Sequence, residues 1–159
     1  MGGNLGSSST AVADRMSAFL NMRTHIPKMG SLFRNVDCIR LAVPDLEAGL
    51  AFYRDQLGHS LIWKTADSAG LRMPDTHTEL VLHTDPAPPE IDLKVESADA
   101  AALRFQEAGG EIVVPPFEIQ IGRAAVVKDP WGNQLVLLDC SKGMLITDEH
   151  GAIIGNAQE

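Results

Sequence analysis

The chain repeats itself, and that repeat limits its possible folds more than any other feature. Residues 37–58, DCIRLAVPDLEAGLAFYRDQLG, align without a gap on residues 89–110, PEIDLKVESADAAALRFQEAGG. Ile39 falls on Ile91, Leu41 on Leu93, Val43 on Val95, Tyr53 on Phe105 and Gly58 on Gly110, a constant offset of 52 residues (91 − 39, 110 − 58). Further on, Leu80-Val81-Leu82 falls on Leu135-Val136-Leu137. Two copies of one unit therefore occupy residues 36–85 and 89–140, and self-similarity of this kind signals a fold built from equivalent blocks.

Each copy reads as strand, helix, three strands. In the first strand Ile39, Leu41 and Val43 alternate with Cys38, Arg40 and Ala42, the period of a two-faced strand. Asp45 is placed to cap the next helix, with Glu47 in its first turn near the positive end of the helix dipole. Leu46, Leu50, Tyr53 and Leu57 recur at helical spacing and are expected to lie on the sheet. Gly58 then stops the helix. HSLIWKT, AGLRMP and TELVLHT follow as short strands. In the second copy ADAAALRFQEA is the helix, and EIVVPP, GRAAVVK and NQLVLLD are the strands. The Asp129-Pro130-Trp131-Gly132 turn feeds the last of these.

The fold class expected is α+β: two βαβββ units forming an incomplete eight-stranded barrel around a cleft. Leu80, Leu82, Leu135, Leu137, Ile39, Leu41, Ile91 and Leu93 are assigned to the helix side. Cys38, Arg40, Val81, His83, Glu90, Asp92, Lys94, Gln134, Val136 and Leu138 are assigned to the concave side. The repeated strand pairs thus line one cleft. Whether the half-barrels close within one chain or between two is left open.

Composition narrows the partners. A net charge of −8 with no basic stripe argues against a nucleic-acid backbone. No apolar run approaches the ~18 residues of a membrane span. Cys38 and Cys140 are too few for a disulfide framework, so a reducing, cytoplasmic setting is expected. Residues 1–34 are read as an N-terminal extension outside the domain of residues 35–140. This Ser- and Gly-rich stretch has no secretory apolar core. Arg15, Arg23, Lys28 and Arg34 against Asp14 faintly suggest a transit peptide. A plain tail, or a start at Met16, Met22 or Met29, is the preferred reading, with a short helix over 13–22 as an option.

Three segments carry a resemblance: LAVPDLEAGLAFYRDQLG, AGGEIVVPP and DPWGN before the last strand. Inside an internal repeat they resemble the vicinal oxygen chelate superfamily, the group of glyoxalase I, bleomycin- and fosfomycin-resistance proteins and extradiol dioxygenases. The resemblance covers about residues 36–140, and its motifs mark the fold rather than one activity. It implies a divalent metal held from the first and last strands of each unit. The matching positions here are Cys38, Glu90, Val81 and Val136. Valine cannot ligate, and a thiol with one carboxylate is a poor set for a hard metal and incomplete for zinc. No cofactor is therefore expected at the usual place, with a divalent metal kept as the alternative. Single-module members of the superfamily generally dimerise, which implies a homodimer.

The candidate ligand-binding residues are Cys38, Arg40, Trp63, Val81, His83, Glu90, Asp92, Arg123 and Val136, with Glu90 also the candidate catalytic base. Each has a plainer reading beside it. His83 is a shifted metal ligand or a polar rim residue. Cys38 is a reactive thiol or a small apolar filler. Glu90 and Asp92 share a face, as a proton-handling pair or as solvated acids. Buried, they need a partner, for which Arg40 and Arg123 are available; either arginine is also suited to an anionic ligand. Trp63 and Trp131 are ligand walls or core. Residues 141–159 read as a hairpin tail that covers a sheet edge, lids the cleft or meets a partner.

Three functions fit: a metal-independent small-molecule binding protein, a lyase, dioxygenase or epimerase, and an interaction module with a vestigial cleft. The enzyme reading takes either a relocated metal at Cys38, His83 and Glu90, or Glu90 as base without a metal.

Overall fold

A computed structural model describes residues 30–158 of the chain. The readings made for residues 1–29, including the helix over 13–22, lie outside the described residues. The packed unit begins at Leu32, a few residues before the expected boundary, because Leu32 joins a core cluster and the Arg34 amide donates to the Lys94 carbonyl.

The elements follow the repeat. The first unit runs β1 (Asn35–Ala42), α1 (Leu46–Leu50), β2 (Leu61–Lys64), β3 (Ser68–Arg72) and β4 (Glu79–His83). The second runs β5 (Glu90–Lys94), α2 (Ala98–Glu107), β6 (Glu111–Glu118), β7 (Arg123–Lys128) and β8 (Gln134–Leu138). A hairpin of β9 (Met144–Thr147) and β10 (Ile153–Ala157) ends the chain. Eight strands form one curved sheet in the order β2-β3-β4-β1-β5-β8-β7-β6. β1 is parallel to β4, β5 is parallel to β8, and β1 meets β5 antiparallel. The half-barrels are therefore joined within one chain, along the β1–β5 seam. Ile39 pairs there with its own repeat equivalent, Ile91, so a pseudo-twofold axis passes through that pair.

Local chemistry sets the helix ends. Asp45 Oδ2 accepts from the Ala48 amide at 2.8 Å, and Ser97 Oγ accepts from the Ala100 amide at 3.2 Å. Both satisfy first-turn N–H groups that have no helical partner. Gly58 closes the first helix at φ +83°. The expected single α-helix instead widens after Leu50 into a π-helical turn over Ala51–Gln56, which turns Leu57 outward to 53% exposure. At the second repeat's turn, Asp129 Oδ1 accepts from the amides of Trp131 and Asn133.

Each helix covers its own half of the convex face. Leu46 and Leu50 pack on Ala69, Leu71, Leu80 and Leu82. Ala101 and Phe105 pack with Val127, Leu135 and Leu137. Each full burial of such a side chain is worth about 1.5–3 kcal/mol. Ile91 departs from the expectation. It lies opposite the concave face but is 44% exposed, because it sits at the seam and belongs to neither helix-covered cluster.

Candidate functional site

The antiparallel seam writes the polar centre of the concave face. Cys38 lies opposite Asp92, and Arg40 opposite Glu90. The flanking parallel pairings continue both rungs. Glu79 lies beside Cys38, Val81 beside Arg40, and Val136 beside Asp92. One face of a sheet thus carries Glu79, Cys38, Asp92 and Val136 in one row, and Val81, Arg40 and Glu90 in the next.

A cavity of about 410 Å³ opens over these rows. Its apolar wall comes from Ile62 and Trp63 on one side and from Phe117, Ile119, Ile121 and Val126 on the other. The C-terminal hairpin adds Met144, Leu145 and Thr147. That hairpin is tied to both edges of the sheet. The Lys64 amide of β2 donates to the Gly151 carbonyl at 2.9 Å, and Asn156 Nδ2 donates to the Gln120 carbonyl at 2.9 Å beyond β6. The tail thus roofs the cavity and leaves space beneath it.

Seven of the sequence candidates line the cavity: Cys38, Arg40, Trp63, Val81, Glu90, Asp92 and Val136. His83 does not. It continues the same face of β4 but is buried beyond the cavity, with Nδ1 unbonded, so the proposed set of Cys38, His83 and Glu90 does not assemble. Arg123 does not either. Its Nε donates to Asp99 Oδ2 at 2.7 Å and its Nη1 to Glu118 Oε1 at 2.5 Å, which holds it at the outer surface. Trp131 stands 84% exposed on its turn, away from the cavity.

Two acidic lining residues were missed. Glu79 shares the face of Val81 two residues on, and alternation alone would have found it. Asp37 was hidden, because alternation puts it opposite Cys38. The β1–β5 register slips between Val36 and Cys38, and a bulge of this kind re-aims one extra side chain. Both Asp37 and Cys38 reach the cavity as a result.

The electrostatics are those of buried acid. The Cys38 thiol donates to Asp92 Oδ2 at 3.3 Å, while Asp92 Oδ1 has no hydrogen-bond partner. Burial, and then the neighbouring Glu90 carboxyl, push Asp92 up to about 8. Burial likewise raises Cys38, helped by the charges of Asp92 and Asp37. Asp37 is raised by burial against the pull of Lys94. Glu79 is raised by burial although Trp63 Nε1 donates to its Oε2 at 2.8 Å. Arg40 Nε lies 3.6 Å from Glu90 Oε1.

The four positions at which the resemblance implies metal ligands, Cys38, Glu90, Val81 and Val136, do not make a divalent-metal site. Val81 and Val136 bring no donor atom. The Cys38 thiol donates to Asp92 Oδ2, a proton that a metal would have to displace. Among the described residues no three His, Cys, Asp or Glu side chains converge as an ion site.

Comparison with known proteins agrees with this architecture. The family model described as the Glyoxalase/Bleomycin resistance protein/Dioxygenase superfamily matches residues 35–137, more than half of the chain. No curated protein matches. Among solved structures, methylmalonyl-CoA epimerase from Mycobacterium tuberculosis superposes with a TM-score of 0.61 at 20% identity, over 75% of this chain and 95% of that one. A Streptomyces coelicolor methylmalonyl-CoA epimerase in complex with 2-nitronate-propionyl-CoA gives 0.58 at 22%, over 70% and 96%. A structure titled NAD-dependent benzaldehyde dehydrogenase, from Legionella pneumophila, gives 0.55 at 19%, over 65% and 98%. At these identities the likeness is one of fold alone, and the differing names of those proteins make the same point.

Proposed function

The chain belongs to the Glyoxalase/Bleomycin resistance protein/Dioxygenase superfamily, and on that premise we propose that it binds a small organic molecule in the roofed cavity without a divalent metal. The observation that carries this reading is the cavity's make-up: about 410 Å³, walled by aliphatic and aromatic side chains, with its few polar groups gathered at the β1–β5 seam. Apolar walls supply affinity by burial, and a few converging polar groups supply orientation. Val81 and Val136, standing where the superfamily's resemblance implies ligands, support the metal-free half of the proposal. A cytoplasmic homodimer belongs to the same reading, and sedimentation velocity tests the dimer. Among the described residues no helix is long and apolar enough to cross a membrane.

The test joins metal content to binding. The protein, free of any His tag, is loaded in turn with zinc, nickel, manganese and ferrous iron, stripped of excess, and counted by mass spectrometry. Ligands are then sought by thermal shift with and without chelator. Thermal stabilisation that survives chelation, with no stoichiometric metal, supports the proposal. A stoichiometric metal lost on Glu90→Gln would sink it.

One observation favours a second reading, metal-free proton transfer. Asp92 holds its proton to about pH 8 beside Glu90, so an acid and a base stand together in the cavity. Glu90 is then the base and Asp92 the acid. Deuterium incorporation from solvent into a bound carbonyl compound, abolished by Glu90→Gln, is its signature.

A further inference from the structure

Resting on the reading of the cavity as an organic-ligand site, we infer that its ligand is an organic cation: an apolar or aromatic body bearing an ammonium group that docks on Asp92. The first ground is an imbalance. Four carboxyls, Asp37, Glu79, Glu90 and Asp92, line the cavity, and among the described residues lining it Arg40 is the one cation. Arg40 is already engaged, 3.6 Å from Glu90. On the far side of β1 and β4, Lys94 and Arg72 line an adjoining cleft together with Asp37 and Glu79, so those two acids have cations close by. Asp92 and Glu90 do not line that cleft.

The second ground is independent of charge counting. Asp92 is only 5% exposed and lines the cavity, and its carboxyl has the Glu90 carboxyl at hydrogen-bond range but no N–H donor on Oδ1 among the described residues. Its other oxygen takes the Cys38 thiol proton at 3.3 Å, a weak donor. Buried acceptors are nearly always satisfied in native proteins, and an ammonium N–H in the cavity supplies what Oδ1 lacks. Trp63 adds a third feature. Its indole lines the cavity and is held by the Nε1 hydrogen bond to Glu79 Oε2 at 2.8 Å, which steadies the ring as a wall. Aromatic faces attract cations. An anion would meet four carboxyls and gain only a shared Arg40, and such like-charge contact selects against it.

Binding a cation also favours the ionised form of Asp92, so a proton must leave as the ligand enters. The groups facing Asp92 across the seam and beside it are Cys38, Arg40 and Glu90; of these, Glu90 opposes ionisation, and the Cys38 hydrogen bond and Arg40 favour it. Affinity for an ammonium that keeps its charge over this range therefore rises as the pH climbs towards about 8. Affinity for a neutral ligand of the same shape does not follow.

Three probes share one benzyl group and a tetrahedral head: benzylammonium, benzyl methyl sulfone and benzylsulfonate. Titration calorimetry on the full-length protein is expected to rank them cation, neutral, anion, with the cation about tenfold tighter than the sulfone, as a charge-assisted contact gives. Asp92→Asn should weaken the cation about tenfold and leave the sulfone unchanged. Should that variant not fold, the rise of wild-type cation affinity with pH, and its absence for the sulfone, tests the same point. A sulfone or sulfonate that binds as tightly as the cation would overturn the cation assignment and leave the cavity as an organic-ligand site. If none of the three binds, the site reading falls as well.

Discussion

Cys38 and Asp92 meet face to face across the β1–β5 seam, the thiol donating to Oδ2 at 3.3 Å. In the repeat, Cys38 corresponds to Glu90, not to Asp92. The antiparallel crossing of the two units exchanges the partners, so Cys38 answers Asp92 and Arg40 answers Glu90. Both pairs lie in the cavity floor, and their chemistry follows from the exchange.

The stability of the fold is expected to fall as the pH rises through the neutral range, in part because of Asp92. Its folded carboxyl titrates at about 8 instead of 3.8, so between those values the native state holds a proton that the unfolded state has lost. The unfolded state is then favoured by rising pH. Asp37 and Glu79, also raised by burial, act in the same sense. Urea unfolding from about pH 5 to about pH 9 should show this decline, and Asp92→Asn should flatten it, with a gain of about 1–3 kcal/mol at the alkaline end. An unchanged slope in the variant would mean that Asp92 titrates normally.

Thiol chemistry separates the two cysteines. Cys38 is 5% exposed and held in its protonated form by burial and by neighbouring carboxylates, so its thiolate fraction at neutral pH is very small. Cys140 is only half-buried. An aromatic disulfide reagent at pH near 8 should modify one thiol per native chain, and that reaction should vanish in Cys140→Ser. Rapid labelling of Cys38 in the native protein would contradict the buried hydrogen bond.

Gly70 makes room for Trp63. A Cβ built on Gly70 would lie 2.1 Å from Trp63 Nε1 and 2.5 Å from Cε2. Gly70→Ala must therefore displace the indole, break its hydrogen bond to Glu79 and reshape the cavity wall, at a cost of about 1–3 kcal/mol. With Trp131→Phe removing the exposed indole, the fluorescence of Trp63 alone should shift to the red in Gly70→Ala as the ring meets solvent. A spectrum identical to that of the parent would show that the ring is not held where the structure has it.

Asp139 ties the second unit together. Oδ2 accepts from the Ala98 amide at 2.9 Å, and Oδ1 accepts from the Arg123 amide at 3.0 Å and the Ser141 hydroxyl at 2.7 Å. Burial works to raise this carboxyl, but the donors outweigh it and hold it below the usual range. Asp139→Ala strands buried N–H groups at the start of α2 and should cost about 2–4 kcal/mol by denaturant titration. In the wild type this contribution is present above the normal carboxyl range and is lost as the pH falls through the lowered one. A cost of a few tenths of a kcal/mol would show that water replaces the carboxylate.

The sequence by itself determined the repeat, the order of strands and helices, and the face of most strand residues. Those features are local or periodic, and two copies of one pattern reinforce each other: Leu80 and Leu82 had to face the helix if Val81 faced the cavity. It also determined that Val81 and Val136 offer no metal donor, because that is a property of the side chain alone. Tertiary structure decided the rest. Only strand pairing set Cys38 against Asp92, and only the slip at Asp37 turned that carboxyl inward. Arg123 went to Asp99 and Glu118 because those acids arrive from α2 and β6, elements whose approach no spacing encodes. His83 shares a face with the cavity floor yet lies beyond its end, since the extent of a cavity is fixed by what roofs it. Here the roof is a hairpin more than fifty residues further along the chain, anchored at Gly151 and Asn156.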